Sequence, residues 1–198
     1  MGTHELRKRN IWQDVSGGKA SIAEKTFYEV FSKEFEKTDF RVRSKPKELK
    51  NIYSTIKLSE DTLSKIYNPD ETWIHGVVPD FAIDNLKTKK TLYVEVKRQD
   101  GWVEGKPRKA GRGNAHERSC KFFTPGLLKI LREYGKIGDQ NLPFWVVFQG
   151  DIARDPKRVR EVNCWYEGCL EHFFFWSNTK DVKSLIDHFN KNLKNILL

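Results

Sequence analysis

Apolar residues recur along this chain with two different periods, and the switches between them outline its elements. Over residues 19–36, Ile22, Phe27, Val30, Phe31 and Phe35 fall at the three-to-four spacing of an amphipathic helix laid on a core. A second helical pattern occupies residues 45–67 beside a Lys-rich stretch, with Leu58-Ser59-Glu60-Asp61 as its start signal. Two strand-type runs follow, Gly76-Val77-Val78-Pro79-Asp80-Phe81-Ala82-Ile83 and Thr91-Leu92-Tyr93-Val94-Glu95-Val96-Lys97. The mostly polar residues 84–90 between them predict a hairpin turn. Residues 100–113 are rich in Gly, Lys and Arg, have no apolar period and read as a loop. Asn114 suits the N-cap of a helix running through Phe123, and Thr124-Pro125 restarts a helix that continues to about Tyr134. Leu142-Pro143-Phe144-Trp145-Val146-Val147-Phe148 is a continuous apolar run suited to a strand buried on both faces. His172-Phe173-Phe174-Phe175-Trp176 reads as a further strand. Val182, Leu185, Ile186, Phe189, Leu193, Ile196 and Leu197 then form the apolar stripe of a last helix. That order predicts a mixed α/β layer structure.

Composition narrows the picture. With 198 residues, 38% of them hydrophobic, the chain can bury one sizeable core, and it is expected to form a single domain over residues 1–198. No apolar run approaches the roughly 18 residues that a membrane span requires. The first ten residues carry charge with no apolar stretch behind them, unlike a signal peptide. A cytoplasmic protein with no membrane partner is therefore expected. The 36 Lys and Arg against 27 Asp and Glu leave a net charge of +9, which favours a polyanionic partner through counterion release. Cys120, Cys164 and Cys169 are odd in number and lack the CxxC spacing of a zinc site, so they read as reduced thiols.

Candidate chemistry gathers around the first two strand runs. Side chains alternate faces along a strand, so Tyr93, Glu95 and Lys97 point one way while Leu92, Val94 and Val96 turn to the core. If the preceding run pairs antiparallel, Asp80 comes beside Glu95. Two carboxylates and the Val96 backbone carbonyl make a hard oxygen site suited to Mg²⁺. A metal there polarises a phosphodiester, and the Lys97 ammonium steadies the developing charge. The same Glu-x-Lys spacing also occurs as a solvated ion pair. Glu24 and Glu29 on the first helix are candidates for a third acid near the metal, with solvent-facing charges as the plainer reading.

A second cluster lies in Arg112-Gly113-Asn114-Ala115-His116-Glu117-Arg118-Ser119. A helix start with free N–H groups suits a phosphate or base edge. Asn pairs bidentately with adenine, Arg with guanine, and Glu accepts from an exocyclic amine. Ala115 leaves room for close approach. A plainer reading is a capped helix with a Glu117–Arg118 surface pair and an exposed His116. Lys106, Arg108 and Lys109 in the basic loop are candidates for phosphate contacts.

Pro79-Asp80 followed by Glu95-Val96-Lys97 resembles the signature of the PD-(D/E)xK nuclease superfamily. Gly113-Asn114-Ala115-x-Glu117-Arg118-Ser119, about twenty residues further on, resembles the recognition element of EcoRI-like restriction endonucleases. Residues 97–106, 142–148 and 155–161 are similar to the MunI-type branch of that family. The resemblance implies a PD-(D/E)xK restriction-endonuclease-like fold, a central mixed five-stranded sheet flanked by helices. Its catalytic core would span about 70–150 and its recognition segment about 100–124. It implies that Asp80, Glu95 and the Val96 carbonyl hold Mg²⁺ and that Lys97 stands by the scissile phosphate. Asn114, Ala115, Glu117 and Arg118 would read a central AATT, Gly113 would adjoin them at the DNA, and Arg112 just before it would be placed for the outer pair. The implied substrate is double-stranded DNA at the palindrome CAATTG, cut after the first base by a homodimer to leave 5′ AATT overhangs. A repair or junction nuclease of the same superfamily, or a non-catalytic sequence-specific DNA-binding protein, are the alternative readings.

Overall fold

The computed structural model describes residues 11–66, 75–100 and 115–198. Within them lies a five-stranded sheet in the order β1 (Phe40–Ser44), β2 (Phe81–Asn85), β3 (Thr91–Arg98), β4 (Phe144–Gln149) and β5 (Phe173–Trp176). β1, β2 and β3 run antiparallel to their neighbours, whereas β3, β4 and β5 run parallel. The sheet is thus mixed, with the β3–β4 crossover supplied by α3 (Ala115–Ser119) and α4 (Pro125–Gly135). A parallel pair needs such a crossover, because a tight turn cannot bring the chain back to the same end.

Strand alternation divides the core in two. On one face Phe81, Ile83, Leu92, Val94, Val96, Trp145 and Val147 are covered by the first helix, α1 (Ile11–Glu34), and by residues 182–197. On the other, Ala82, Tyr93, Phe144, Val146 and Phe148 pack against Phe122, Leu127 and Leu131 of the crossover and Val162 of α5 (Pro156–Trp165). The α4 leucines therefore belong to the core, with Leu128 half-buried beside them. In α1 the inward positions are Ala23, Phe27 and Phe31, four residues apart, and Ile22 is exposed instead of joining the stripe. Phe27 stacks on Phe81 at 5.0 Å and meets the Trp145 edge at 5.5 Å. Its truncation to Ala would cost about 3–5 kcal/mol.

Several elements differ from the sequence expectation. β1 was not anticipated, although Phe40-Arg41-Val42-Arg43 alternates apolar and charged residues. The first strand-type run enters its strand only at Phe81, so residues 76–80 lead into β2. Residues 45–66 hold a 3-10 turn (Ile52–Thr55) and the short α2 (Glu60–Leu63), where Ser59 caps by accepting the Thr62 N–H at 3.3 Å. α5 was also not anticipated; Asp155 caps it through the Lys157 N–H at 3.0 Å, with Pro156 in its first turn. The last amphipathic stripe begins as α6 (Val182–His188) and continues through a π-type turn (Phe189–Leu193) and a 3-10 turn (Lys194–Leu197). That segment closes on the β2–β3 hairpin, where the Leu197 carbonyl accepts from Asn85 Nδ2 at 3.0 Å and Thr88 Oγ1 at 2.7 Å. Cys120 and Cys164 are exposed, Cys169 is half-buried, and all three are free thiols. Among the described residues no helix is long and apolar enough to cross a membrane.

Candidate active site

The registers of β1, β2 and β3 align one row of charged side chains. β2 pairs Phe81 with Val94 and Ala82 with Tyr93, so one step further sets Asp80 across from Glu95. β1 pairs Ser44 with Phe81, and one step further Lys45 stands across from Asp80, its N–H donating to the Asp80 carbonyl at 2.9 Å. Lys97 lies two residues along β3 from Glu95, on the same face.

The carboxylates are tied together closely. Asp80 Oδ1 accepts from Lys45 Nζ at 2.6 Å, and Oδ2 accepts the Val96 N–H at 2.9 Å with Lys97 Nζ at 3.9 Å. Glu95 Oε2 accepts the Asp80 N–H at 3.3 Å, and Oε1 accepts from Lys97. Lys45 also reaches Glu24 Oε2 on α1 at 3.3 Å. Asp80 and Glu95 are 7% and 6% exposed, so their charge is largely desolvated. Burial, reinforced by the Asp80 charge, pushes Glu95 above the usual carboxylate range, and Lys97 offsets only part of this. Burial would lower Lys45, but the hydrogen bond and charge of Asp80 prevail and raise it.

These groups suit a hard divalent cation. Asp80 and Glu95 offer oxygen ligands alone, as Mg²⁺ requires. In a strand a residue's N–H and C=O emerge on the same flank, and the Val96 N–H points to Asp80; its carbonyl therefore joins the carboxylates on that side. Among the described residues no set of three His, Cys, Asp or Glu side chains gathers as a metal cage. Glu24 enters through Lys45, while Glu29 faces solvent beside Lys25 at 3.7 Å.

A second charged group occupies the same sheet face two rows away. Asp84 accepts from Arg43 Nε at 2.7 Å, Arg41 Nη2 at 3.0 Å and Thr91 Oγ1 at 2.8 Å. Arg43 also holds Glu48 at 2.8 Å. Burial would raise Asp84, yet the hydrogen bonds from Arg43, Thr91 and Arg41 outweigh it and hold the carboxyl below its ordinary range.

In the candidate recognition segment, Arg112, Gly113 and Asn114 lie outside the described residues, as do Lys106, Arg108 and Lys109. Ala115 opens α3, its N–H donating to Gln99 Oε1 at 3.2 Å, and Glu117 and Arg118 turn outward to solvent. His116 is the correction here: it is fully buried, not exposed. The unanticipated α5 covers it, placing Glu161 Oε2 3.1 Å from His116 Nε2 and the Trp165 ring 5.3 Å away at 8°. Burial and the neighbouring Arg158 charge lower the His116 pKa, so the ring is neutral at pH 7. His116 Nδ1 is buried without a partner. Its Nε2 lies between Glu161 Oε2 at 3.1 Å and Arg158 Nη1 at 3.2 Å, an acceptor and a donor.

Sequence reasoning missed Lys45, Arg158 and Glu161. The strand alternation of residues 40–43 was the available signal for Lys45, and the Asp155-Pro156 helix start was that for the other two.

A family model described as type II restriction enzyme MunI matches residues 1–198. A Mycoplasma sp. protein described as type II restriction enzyme MunI is 53% identical over 201 residues, with all of both chains covered. A crystal structure of MunI restriction endonuclease in complex with cognate DNA matches with a TM-score of 0.80 at 52% identity, covering 95% of this chain and 98% of that one.

Proposed function

Because this chain belongs to the MunI family of type II restriction enzymes and is a site-specific deoxyribonuclease, we propose that it hydrolyses CAATTG in double-stranded DNA. Cleavage falls after the first base, leaves 5′ AATT overhangs and depends on Mg²⁺. The acting unit is a homodimer, each subunit cutting one strand, because a palindrome matches a two-fold axis. The protein works as one domain over residues 1–198, in the cytoplasm where the DNA is.

The observation that carries this reading is the meeting of Asp80, Glu95 and Lys97 on one sheet face, in the pattern of the PD-(D/E)xK superfamily. Asp80, Glu95 and the Val96 carbonyl are the residues to hold Mg²⁺, which supplies Lewis-acid polarisation of the scissile phosphate. Lys97, held by Glu95 with Asp80 at 3.9 Å, presents its ammonium to the phosphate and stabilises the charge that builds on the phosphoryl oxygens. The Asp80 N–H fixes one oxygen of Glu95 and Lys97 the other, so that carboxylate keeps its orientation before substrate arrives. Asn114, Ala115, Glu117 and Arg118 read AATT, and Arg112, beside Gly113, discriminates the outer pair. Lys106, Arg108 and Lys109 bind phosphates. Full-length identity of 53% favours this reading over a junction nuclease or a non-catalytic DNA-binding protein.

Digestion of a sequenced plasmid with and without Mg²⁺, with the ends read by sequencing, tests it. The expected result is discrete CAATTG ends with AATT overhangs. Cuts at GAATTC, or at AATT with any flank, would overturn the role of Arg112, and metal-independent cutting would overturn that of Asp80 and Glu95.

A further inference from the structure

Lys45 has no part in the chemistry above, yet it is bound to the acids more tightly than Lys97 is to Asp80. It leaves β1 in a left-handed backbone conformation, φ 47°, that a residue with a side chain seldom adopts. Its N–H is fixed to the Asp80 carbonyl, and its ammonium bridges Asp80 Oδ1 and Glu24 Oε2 at 2.6 and 3.3 Å. The side chain is 51% exposed, so the ammonium sits at the rim of the carboxylate group.

We propose that Lys45 is an internal counter-ion that competes with the divalent cation for Asp80, a positioning residue that keeps the metal-free acids together. The proposal rests on the reading of Asp80 and Glu95 as metal ligands. Three carboxylates, Glu24, Asp80 and Glu95, here face two ammonium groups, Lys45 and Lys97. Asp80 Oδ2 is engaged by the Val96 N–H, and Oδ1 is the oxygen that Lys45 holds. A dication on the largely buried Asp80 carboxylate meets the half-exposed Lys45 ammonium at close range, and the two like charges repel. Lysine's flexible stem lets the ammonium withdraw while the backbone hydrogen bond stays. The metal therefore binds at the expense of an existing ion pair. Its affinity for the DNA-free protein is lower than the two carboxylates alone would give.

Mn²⁺ binding to the full-length chain without DNA, followed by the resonance of free Mn²⁺, is the test. Lys45→Gln should bind Mn²⁺ about tenfold more tightly than the unaltered chain, within the usual range of coupling between two sites. Lys45→Arg, which keeps the charge, should stay near the unaltered value. Equal or weaker binding by Lys45→Gln overturns the proposal. Glu95→Gln separates this from the reading beneath it. Loss of Mn²⁺ there with no gain in Lys45→Gln refutes Lys45 alone, and unchanged binding in Glu95→Gln refutes the ligand assignment. If Lys45→Gln does not fold, the unaltered chain still decides. Its Lys45 ammonium resonance should be protected without metal and lose that protection on saturation with Mg²⁺, and retained protection overturns the proposal.

Discussion

Asp84 and Asp80 sit four residues apart around the same strand, face the same side of the sheet and are equally buried, yet their surroundings differ in kind. Asp84 receives two arginines and a threonine, and its carboxyl is held below the ordinary range. Beside Asp80, Glu95 is pushed above that range by burial and by the Asp80 charge, which the single-point contact from Lys97 offsets only in part. A planar guanidinium fork satisfies a carboxylate geometrically and leaves it little reason to accept another cation. An ammonium is a mobile point charge that a stronger cation can displace. One cluster therefore holds β1 against β2, and the other is left short of positive charge, which is what the proposed metal site requires.

The sharpest way to break this contrast is to truncate one acid from each cluster. Glu95→Ala should lower cleavage by at least about a thousandfold, consistent with the several kcal/mol a metal contributes. Thermal unfolding should stay within a few degrees of the unaltered chain, and retained cutting would remove Glu95 from the active site. Asp84→Ala should do the reverse. It leaves Arg43 and Arg41 without their shared partner and costs about 2–4 kcal/mol, the value for a buried pair reduced because Arg41 is over half exposed. Denaturant titration gives that figure, and the folded fraction should still cut DNA.

The opposite pKa directions give a smaller effect of known sign. Asp84 is depressed, so its stabilisation is complete above its ordinary value near 3.8 and is lost as pH falls through the lower folded value. Glu95 is raised, so the fold binds its proton more tightly than the unfolded chain does. That preference is lost as pH climbs from the ordinary 4.5 through the raised value. Stability curves against pH should therefore show a gentler acid limb in Asp84→Asn, and no loss at pH 7 in Glu95→Gln. A gentler acid limb in Glu95→Gln instead would invert the contrast. The smallest effect concerns the two α1 acids. Glu29→Gln should change stability and cleavage negligibly, within about 0.5 kcal/mol, whereas Glu24→Gln should alter the metal concentration needed for half-maximal cutting.

The strand that carries Glu95 and Lys97, and the one that Asp80 leads into, were legible because alternation with period two is a local property, and β3 obeys it on both faces. The antiparallel approach of β2 follows from the short polar turn between them. Lys45 was not legible from its own neighbourhood, since its importance arises from a cross-strand register that no single segment encodes. His116 failed for a related reason. Its exposure was judged on the five-residue α3 alone, and the helix that buries it begins forty residues later at Pro156. An element left unread thus misplaced a residue in another. Asp80 and Glu95 were placed together despite these gaps because their meeting depends on two adjacent strands and not on what packs around them.

The closure of Leu197 over Asn85 and Thr88 links positions more than a hundred residues apart. The face of β2 and β3 opposite the acids is likewise sealed by α1 from one side of the sequence and residues 185–197 from the other. Contacts so distant along the chain form slowly, because a long loop must be closed before they contribute anything. The hairpin that aligns Asp80 with Glu95 is therefore steadied among the later events of folding. A chain still maturing carries its acids on an unsupported ribbon, and hydrolytic competence comes with completion of the fold.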